Sequence, residues 1–298
     1  MPDASAQTDA FLVERPEFRR LVPESATLER LATGFRFTEG PAWHPTGNFL
    51  VFSDIPADRM HRFDPATGQV EPFREPSEHA NGNTYAPDGT LYTCEHGSRR
   101  VRVLRPGGET PEVLVERAEG KLFNSPNDIV VKRDGTVWFT DPDYGLDKRP
   151  REQPAHRVYR FDPRTGETKP VLDDFEQPNG LCFSPDERRL YVADSGKPRH
   201  VRVFDVAPDG TLSNGRVFCT IDKGVPDGIR CDGEGNLFSS AGDGVHVFNP
   251  AGERLGKILV PETTANLCFG GPDGRDLYLT ASKSLYRVRL TASGKLEH

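Results

Sequence analysis

The stretch Ser125-Pro126-Asn127-Asp128-Ile129-Val130-Val131, followed by Asp134-Gly135-Thr136-Val137-Trp138-Phe139, decides the fold. It contains a short polar segment, a short apolar strand, a tight turn and a second apolar strand. The turn and the strand after it recur along the chain, in copies that begin near His44, Pro87, Pro185, Gly233 and Pro272. Repeats therefore organise the chain, and each repeat is a candidate for one structural unit.

The spacing of the repeats predicts a β-propeller. The turns centre on positions 47, 89, 135, 187, 235 and 274, so successive turns are 42, 46, 52, 48 and 39 residues apart. That spacing is about the length of a four-stranded propeller blade. Each copy continues into another strand, in which polar and apolar residues alternate and which ends at a turn, as in Arg62-Phe63-Asp64-Pro65. We expect an all-β, six-bladed β-propeller with four-stranded blades.

The two ends of the chain predict how the ring closes. The last repeat ends after Leu285–Leu290 without a fourth strand, whereas Thr27–Ala32 precedes the first repeat without a blade of its own. Pairing this N-terminal strand with the last blade would complete that blade and cover its edge. We therefore expect a single propeller domain at residues 27–295, an N-terminal arm at residues 1–26 and a tag remnant at residues 296–298.

Composition argues against several function classes. The chain of 298 residues has 38 Lys and Arg against 45 Asp and Glu, and its net charge of −7 argues against a nucleic-acid partner. It has neither an apolar run of the roughly 18 residues that a membrane span needs nor an apolar signal segment. The five cysteines are widely spaced and form no C-x-x-C pair, which favours reduced thiols in the cytoplasm. We expect a monomer or a weak homodimer.

The residue that begins each predicted inner strand carries a side-chain oxygen in most repeats. Inner strands of a propeller line its central channel, so their first residues meet at one mouth of that channel. Glycine after most of these residues would let neighbouring backbones approach closely at a crowded axis. The aligned pairs are Glu39-Gly40, Asn81-Gly82, Asn127-Asp128, Asn179-Gly180, Asp227-Gly228 and Ala265-Asn266.

These oxygen-bearing side chains predict a site for one divalent cation. Ca²⁺ takes roughly six to eight oxygen ligands from carboxylates, amide carbonyls and water. Glu39 and Asp227 would neutralise its charge, and Asn127 and Asn179 would add neutral oxygens. The preference of polar residues such as Asn and Asp for turns would explain any one of these residues. All four stand at the same position of the repeat, however, and that favours a metal site. We expect Ca²⁺, with Zn²⁺, Mn²⁺ or Mg²⁺ as alternatives.

Loops at the same mouth supply candidate substrate-binding residues. A small polar substrate would meet Asn81, His96 and Tyr144 there, together with Asn127. A structural role, such as a hydrogen bond within a loop, explains the presence of Asn81, His96 and Tyr144 equally well, since loops carry both structural and functional polar groups.

Several of these segments resemble the senescence marker protein, regucalcin and gluconolactonase family, and the chain looks most like its bacterial gluconolactonases. The resemblance covers about residues 28–290. It is most specific at Glu39-Gly40-Pro41-Ala42-Trp43, Phe123-Asn124-Ser125-Pro126-Asn127-Asp128, Gln177-Pro178-Asn179-Gly180-Leu181 and Pro226-Asp227-Gly228-Ile229.

The resemblance implies a six-bladed propeller that hydrolyses sugar lactones with a central divalent metal. The metal-binding Glu, Asn and Asp of the family fall on Glu39, Asn179 and Asp227, and Asp227 is also the position of the proposed acid/base. A family Asn that touches substrate or metal falls on Asn127. Regucalcin-type members carry a substrate-contacting Arg where this chain has Ser125, so the exact sugar is left open.

The functional hypothesis is therefore metal-dependent hydrolysis of a sugar lactone to the free sugar acid. In it the metal polarises the carbonyl, and Asp227 acts as general base or, alternatively, as nucleophile. The first alternative is an organophosphate or phosphotriester hydrolase on the same scaffold, which a mouth lined with aromatic residues would favour. The second is a non-catalytic propeller that binds a ligand or a protein, because a fold alone does not decide function.

Overall fold

The computed structural model describes residues 9–294, and its main sheets form the blades of a six-bladed propeller around a central channel. Each blade is an antiparallel sheet in which strands follow one another from the channel outward. The predicted all-β, six-bladed fold is confirmed. The first three blades consist of Thr38–Trp43, Leu50–Asp54, Arg59–Asp64 and Gln69–Arg74; of Ala80–Tyr85, Leu91–Glu95, Arg100–Leu104 and Glu112–Val115; and of Ile129–Val131, Val137–Asp141, Arg157–Asp162 and Glu167–Leu172.

The last three blades repeat the same plan, and the chain ends close the ring. The N-terminal strand Leu28–Thr33 pairs antiparallel with Ser284–Arg289, with Leu28 opposite Val288, so it is the outer strand of blade 6. The predicted closure by an N-terminal strand is therefore confirmed. The strands are Pro178–Phe183, Arg189–Asp194, His200–Val206 and Leu212–Thr220; Ile229–Cys231, Leu237–Ala241, Gly244–Phe248 and Arg254–Leu259; and Thr264–Gly270, Asp276–Ala281, Ser284–Arg289 and Leu28–Thr33.

The segment before the ring packs against blades 5 and 6. Phe11–Val13 adds a strand to the outer edge of blade 5, and the helix Phe18–Leu21 follows it. Phe18 is fully buried in the apolar core that these two blades share. Residues 1–8 of the expected arm and the expected tag remnant at 296–298 lie outside the described residues.

Besides the helix Phe18–Leu21, two further short elements of residues 9–294 lie outside the blades. Ile55–Ala57 is a 3₁₀ helix between the second and third strands of blade 1. Arg117–Ala118 and Lys121–Leu122 form a small hairpin between blades 2 and 3. In residues 9–294 no helix has the length and hydropathy of a membrane span.

Apolar faces of neighbouring blades form the core. Second strands such as Val137–Asp141 are buried along their whole length, whereas the outer strand Gln69–Arg74 is partly exposed. Trp43 of blade 1 stacks on Tyr278 of blade 6 with ring centroids 5.5 Å apart. Such aromatic pairs bury large apolar areas and hold adjacent sheets face to face.

Carboxylates fix the loops that lead into three of the inner strands. Asp54, Asp141 and Asp194 each end the second strand of a blade, and each accepts two backbone N–H groups from the segment just before the inner strand. These hydrogen bonds tie the segment that enters each of these blades to the end of its second strand. The six distances lie between 2.8 and 3.0 Å, and the donors are Arg36, Phe37, Asn124, Ser125, Glu176 and Gln177.

Candidate active site

The five polar residues predicted to meet at the channel do lie at its mouth. Glu39, Asn81 and Asn179 are the second residues of their inner strands, while Asn127 and Asp227 stand two residues before theirs. Direct contacts or electrostatic coupling connect neighbouring members, as described below. The repeat thus brings side chains from five different blades to one place.

Glycines make this close approach sterically feasible at two of the inner strands. A Cβ atom on Gly180 would lie 2.1 Å from the backbone oxygen of Asp227, and one on Gly40 would lie 1.9 Å from that of Asn81. The Gly180 N–H instead donates to the Asp227 oxygen at 3.1 Å. Only a residue without a side chain lets adjacent blades bond in this way.

Asparagine side chains link blades 2, 3 and 4 around the mouth. The Asn81 Nδ2 donates to Asn127 Oδ1, and Asn127 Nδ2 donates to Asn179 Oδ1 at 2.6 Å. Asn179 Nδ2 in turn donates to the hydroxyl of Ser195 at 3.0 Å, and that hydroxyl donates to the backbone oxygen of Pro226 at 2.6 Å. The amides are therefore held in one connected chain.

Glu39 is a buried carboxylate with two donors of its own. Its Oε2 accepts the Gly40 N–H at 2.6 Å and the Asn266 Nδ2 at 2.9 Å. Burial and the negative charge of Asp128 nevertheless raise the pKa of Glu39 to about 7, although both hydrogen bonds and the charge of Arg230 act in the opposite direction. A carboxyl with this pKa readily exchanges its proton for a cation at neutral pH.

Asp227 is a second carboxyl whose ionised form is disfavoured. Burial raises the pKa of Asp227 well above its ordinary value, and the charges of Glu39 and Asp128 raise it further, while a hydrogen bond from Asn179 lowers it. Like charges in a buried site cannot all be ionised unless a cation balances them. Asp128 itself pairs with the buried Arg230 at 3.5 Å.

A hard divalent cation fits this donor set. Glu39 and Asp227 offer carboxylate oxygens. Their negative charges repel each other, and a cation bound between them would remove that repulsion. Asn179 is hydrogen-bonded to Asp227 and Asn127 to Asn179, so both side-chain amides lie next to the carboxylates. The donors are all oxygens, which suits Ca²⁺ and Mg²⁺ better than metals that prefer sulfur or imidazole.

A second acidic cluster in blade 5 fits a cation poorly. Asp222, Asp243 and His246 bring potential ligand atoms close together. The ammonium of Lys257 already lies 2.9 Å from Asp222 and 3.0 Å from Asp243, and Arg254 lies 2.7 Å from Asp222. A lysine charge at that point fills the role that a metal would have, so we interpret the cluster as an ion-pair network.

His96 and Tyr144 lie beside the same group. His96 Nε2 is 3.1 Å from Asn81 Nδ2 and 3.3 Å from Asn127 Oδ1. Burial lowers the pKa of His96 to about 4, so its ring is neutral at pH 7. Tyr144 is 45% exposed, but burial around its hydroxyl and the charge of Asp227 raise its pKa to about 12, and the hydroxyl also interacts with Ser195 and Asn179. The structure thus brings all seven predicted site residues together.

Comparison with known proteins assigns the chain to a family. The sequence profile described as the SMP-30/Gluconolactonase/LRE-like region matches residues 37–283. The chain belongs to this family. The resemblance seen in the sequence motifs is therefore confirmed.

Relatives with established names lie in the same family. The gluconolactonase of Zymomonas mobilis is 34% identical over 94% of this chain and 85% of its own length. The pentonolactonase XacC of Haloferax volcanii is 30% identical over 89% and 94%, respectively. The structure of XC5397 from Xanthomonas campestris, described as a gluconolactonase, has a TM-score of 0.91 and 34% identity, and the match covers 97% of this chain and 98% of that one.

Ser125, the position at which the sequence resemblance implies a difference from regucalcin-type members, does not contribute a free hydroxyl to the mouth. It is fully buried, and its Oγ donates to the Pro142 oxygen at 2.7 Å and accepts the Gly145 N–H at 3.0 Å. Its backbone N–H donates to Asp141 at 2.8 Å. Ser125 therefore shapes the loop that carries Tyr144.

Two residues of the site were not predicted from the sequence. Asn266 stands where four of the other repeats have glycine and blade 3 has Asp128. Its side chain fills the space beside Gly228 and donates to Glu39. This exception to the glycine pattern was the signal that could have revealed it. Ser195 lies in a mouth loop directly after Asp194 and offers no repeat signal, since its role depends on contacts with two other strands.

Proposed function

We propose that this protein hydrolyses a sugar lactone to the free sugar acid at the mouth of the central channel, with one divalent cation as cofactor. The observation that carries the proposal is the convergence of the buried carboxylate of Glu39 and the half-buried carboxylate of Asp227 with the amides of Asn127 and Asn179. Lactonases among its relatives support the substrate class. Ca²⁺ is the cation that this oxygen-only set suits best, with Zn²⁺, Mn²⁺ and Mg²⁺ as alternatives.

The cation would be held by Glu39, Asn179 and Asp227, with Asn127 beside them. When bound there, it supplies Lewis-acid polarisation of the lactone carbonyl and balances the charge that develops on its oxygen. The protein contributes carboxylate and amide side chains that hydrogen bonds already hold together at the channel mouth.

Asp227 is the residue we assign to proton transfer. As general base it takes a proton from the water that attacks the carbonyl carbon, and it returns that proton to the ring oxygen as the C–O bond breaks. Burial and the charges of Glu39 and Asp128 raise the pKa of Asp227 in the metal-free protein. A bound cation would lower the proton affinity of Asp227 again, so we assign it the role of base in a step in which it is released from the cation. Direct attack by the Asp227 carboxylate on the carbonyl carbon is the alternative.

Polar residues at the mouth suit a hydroxylated substrate. Asn81 and neutral His96 offer donors and acceptors to sugar hydroxyls, and Tyr144 places a phenol next to Asn179 and Ser195. Hydroxyl groups match these neutral partners better than they match an apolar wall, because an unpaired buried polar group is costly. The composition of the mouth therefore favours a sugar lactone over an organophosphate.

A lactone panel assayed before and after chelation tests the proposal. We expect turnover of sugar lactones that chelation abolishes and that Ca²⁺, Zn²⁺, Mn²⁺ or Mg²⁺ restores to different extents. Turnover that persists after complete chelation would exclude the metal-dependent mechanism, and inactivity on every lactone would exclude the function. Asp227→Asn that still binds metal and retains full activity would remove Asp227 from proton transfer and from nucleophilic attack.

A further inference from the structure

One arginine ties together the two loops that carry His96 and Tyr144. Arg149 is half-buried in the loop between the second and third strands of blade 3, and the loop of His96 has the same place in blade 2. The Arg149 Nη1 donates to the backbone oxygen of Gly97 at 2.5 Å, and its Nη2 donates to that of His96 at 2.9 Å. The guanidinium therefore bridges blades 2 and 3 at the mouth.

The same guanidinium also fixes its own loop. Its Nη2 donates to the backbone oxygen of Gly145, directly after Tyr144, and its Nε donates to that of Leu146 at 3.2 Å. A guanidinium carries five N–H donors in a rigid plane and accepts no hydrogen bond, so it holds several carbonyl oxygens in one geometry. Arg149 thus connects four carbonyl oxygens, two in each loop.

Gly145 packs directly on His96 where the two loops meet. A Cβ atom on Gly145 would lie 2.4 Å from both the Cβ and the Cγ of His96, so a residue with a side chain would force the loops apart. The Gly145 N–H also donates to the Ser125 hydroxyl at 3.0 Å. A displacement of the backbone beside Tyr144 would therefore reach the His96 ring.

We propose that Arg149 is a positioning residue that holds His96 and Tyr144 at a fixed separation, so that the two side chains form one wall of the substrate site. This inference rests on the proposed function, because it concerns how that site binds a sugar lactone. Arg149 acts through the backbone of the two loops and has no assigned contact with substrate or cation. A wall that is ordered before binding spares the substrate the cost of ordering it, which lowers KM without changing the reacting atoms.

Steady-state kinetics on a sugar lactone and calorimetric Ca²⁺ titration test it, with Arg149→Met, Arg149→Lys and Arg133→Met compared with the wild type. Arg133 is the matched control, because its guanidinium also bridges two blades through a backbone oxygen, that of Pro185 at 2.6 Å, but at the opposite end of the channel. We expect Arg149→Met to raise KM about fivefold or more, with kcat and Ca²⁺ affinity within about twofold of the wild type. Arg149→Lys should recover part of the loss, and Arg133→Met should behave like the wild type.

A second measurement requires neither substrate nor metal. The N–H groups of His96 and Gly97 donate to backbone oxygens at 3.1 and 2.9 Å, so their exchange with solvent deuterium reports whether the blade 2 loop keeps its place. In metal-free protein we expect residues 96–97 to exchange at least several-fold faster in Arg149→Met than in the wild type or in Arg133→Met. This result would show that an arginine of blade 3 holds a loop of blade 2.

The outcomes separate this inference from the proposed function. Unchanged KM in Arg149→Met, an equal rise in Arg133→Met, or a fall in kcat or Ca²⁺ affinity as large as the rise in KM would overturn the positioning role while leaving the lactonase proposal intact. Equal exchange rates in the three proteins would overturn it as well. A wild type that turns over no sugar lactone would instead contradict the proposed function, and the exchange rates would still decide whether Arg149 holds the two loops together.

Discussion

Together with burial, the carboxylate of Glu39 on the first blade raises the pKa of Asp227, which leads into the inner strand of the fifth blade. Two residues far apart in the sequence thus meet at the channel mouth, and each would be easier to ionise if the other were neutral or a cation lay between them. This coupling is the electrostatic centre of the site, and the first two predictions follow from it.

Glu39→Gln should abolish tight metal binding and lactonase activity while leaving the fold intact. The substitution keeps the shape of the side chain but removes one of the two carboxylates, and we expect at least a hundredfold loss of metal affinity. The metal-free variant should melt at or slightly above the wild-type temperature, because a buried repulsion is gone. Calorimetry and thermal melts measure both effects, with Glu71→Gln on an exposed outer strand as the control. Wild-type affinity in Glu39→Gln would exclude Glu39 as a ligand.

Metal affinity should fall as the pH is lowered from 8 to 6. In the metal-free protein the pKa of Glu39 is about 7, so below pH 7 this carboxyl holds a proton that a cation must displace. The raised pKa of Asp227 adds to the effect in the same direction. We expect a loss that approaches about tenfold per pH unit for each proton displaced, and calorimetry in two buffers of different ionisation enthalpy measures the proton release. An affinity that is constant across this range would contradict the shifted pKa values.

Tyr144→Phe should impair substrate binding more than the chemical step. The hydroxyl lies near Asn179 and Ser195 at the mouth, and its raised pKa keeps it a neutral donor at working pH. Loss of one hydrogen bond of this kind predicts a rise in KM of about three- to tenfold with little change in kcat. Steady-state kinetics on a sugar lactone measure KM and kcat separately, with Tyr92→Phe on the second strand of blade 2 as the control. A large fall in kcat with unchanged KM would place Tyr144 in the chemistry instead.

The repeat made the fold and the position of the site predictable, because side chains in one phase of a propeller repeat converge whatever their distance in sequence. Glu39 and Asp227 could be paired for that reason alone. Asn266 and Ser195 could not, since each acts by a contact that breaks or lies outside the repeat. The hydrogen bond from the Ser125 hydroxyl to Pro142 could not be predicted either, because it depends on how the loop at Pro142 folds back.

Gly180→Ala should destabilise the protein at the channel itself. The added Cβ would meet the backbone oxygen of Asp227 at 2.1 Å, so the inner strands of blades 4 and 5 would have to separate. Overpacking of this kind costs about 1–3 kcal/mol, and metal affinity should fall as well because Asp227 moves. Gly233→Ala is the matched control, since its nearest neighbour would be 3.5 Å away. Chemical denaturation followed by fluorescence gives the free energies of unfolding, and equal values for the two variants would contradict the crowding argument.

Phe18→Ala tests whether the N-terminal arm is part of the propeller's cooperative unit, as we propose. Phe18 is fully buried against blades 5 and 6, and it follows a strand that extends blade 5. Truncating a buried phenylalanine costs about 3–5 kcal/mol through lost burial and the cavity left behind. We expect a single unfolding transition at lower denaturant, whereas Leu12→Ala, at a side chain 46% exposed in the same arm, should change stability by less than about 1 kcal/mol. A separate early transition in the wild type, lost in Phe18→Ala, would instead show that the arm unfolds independently of the ring.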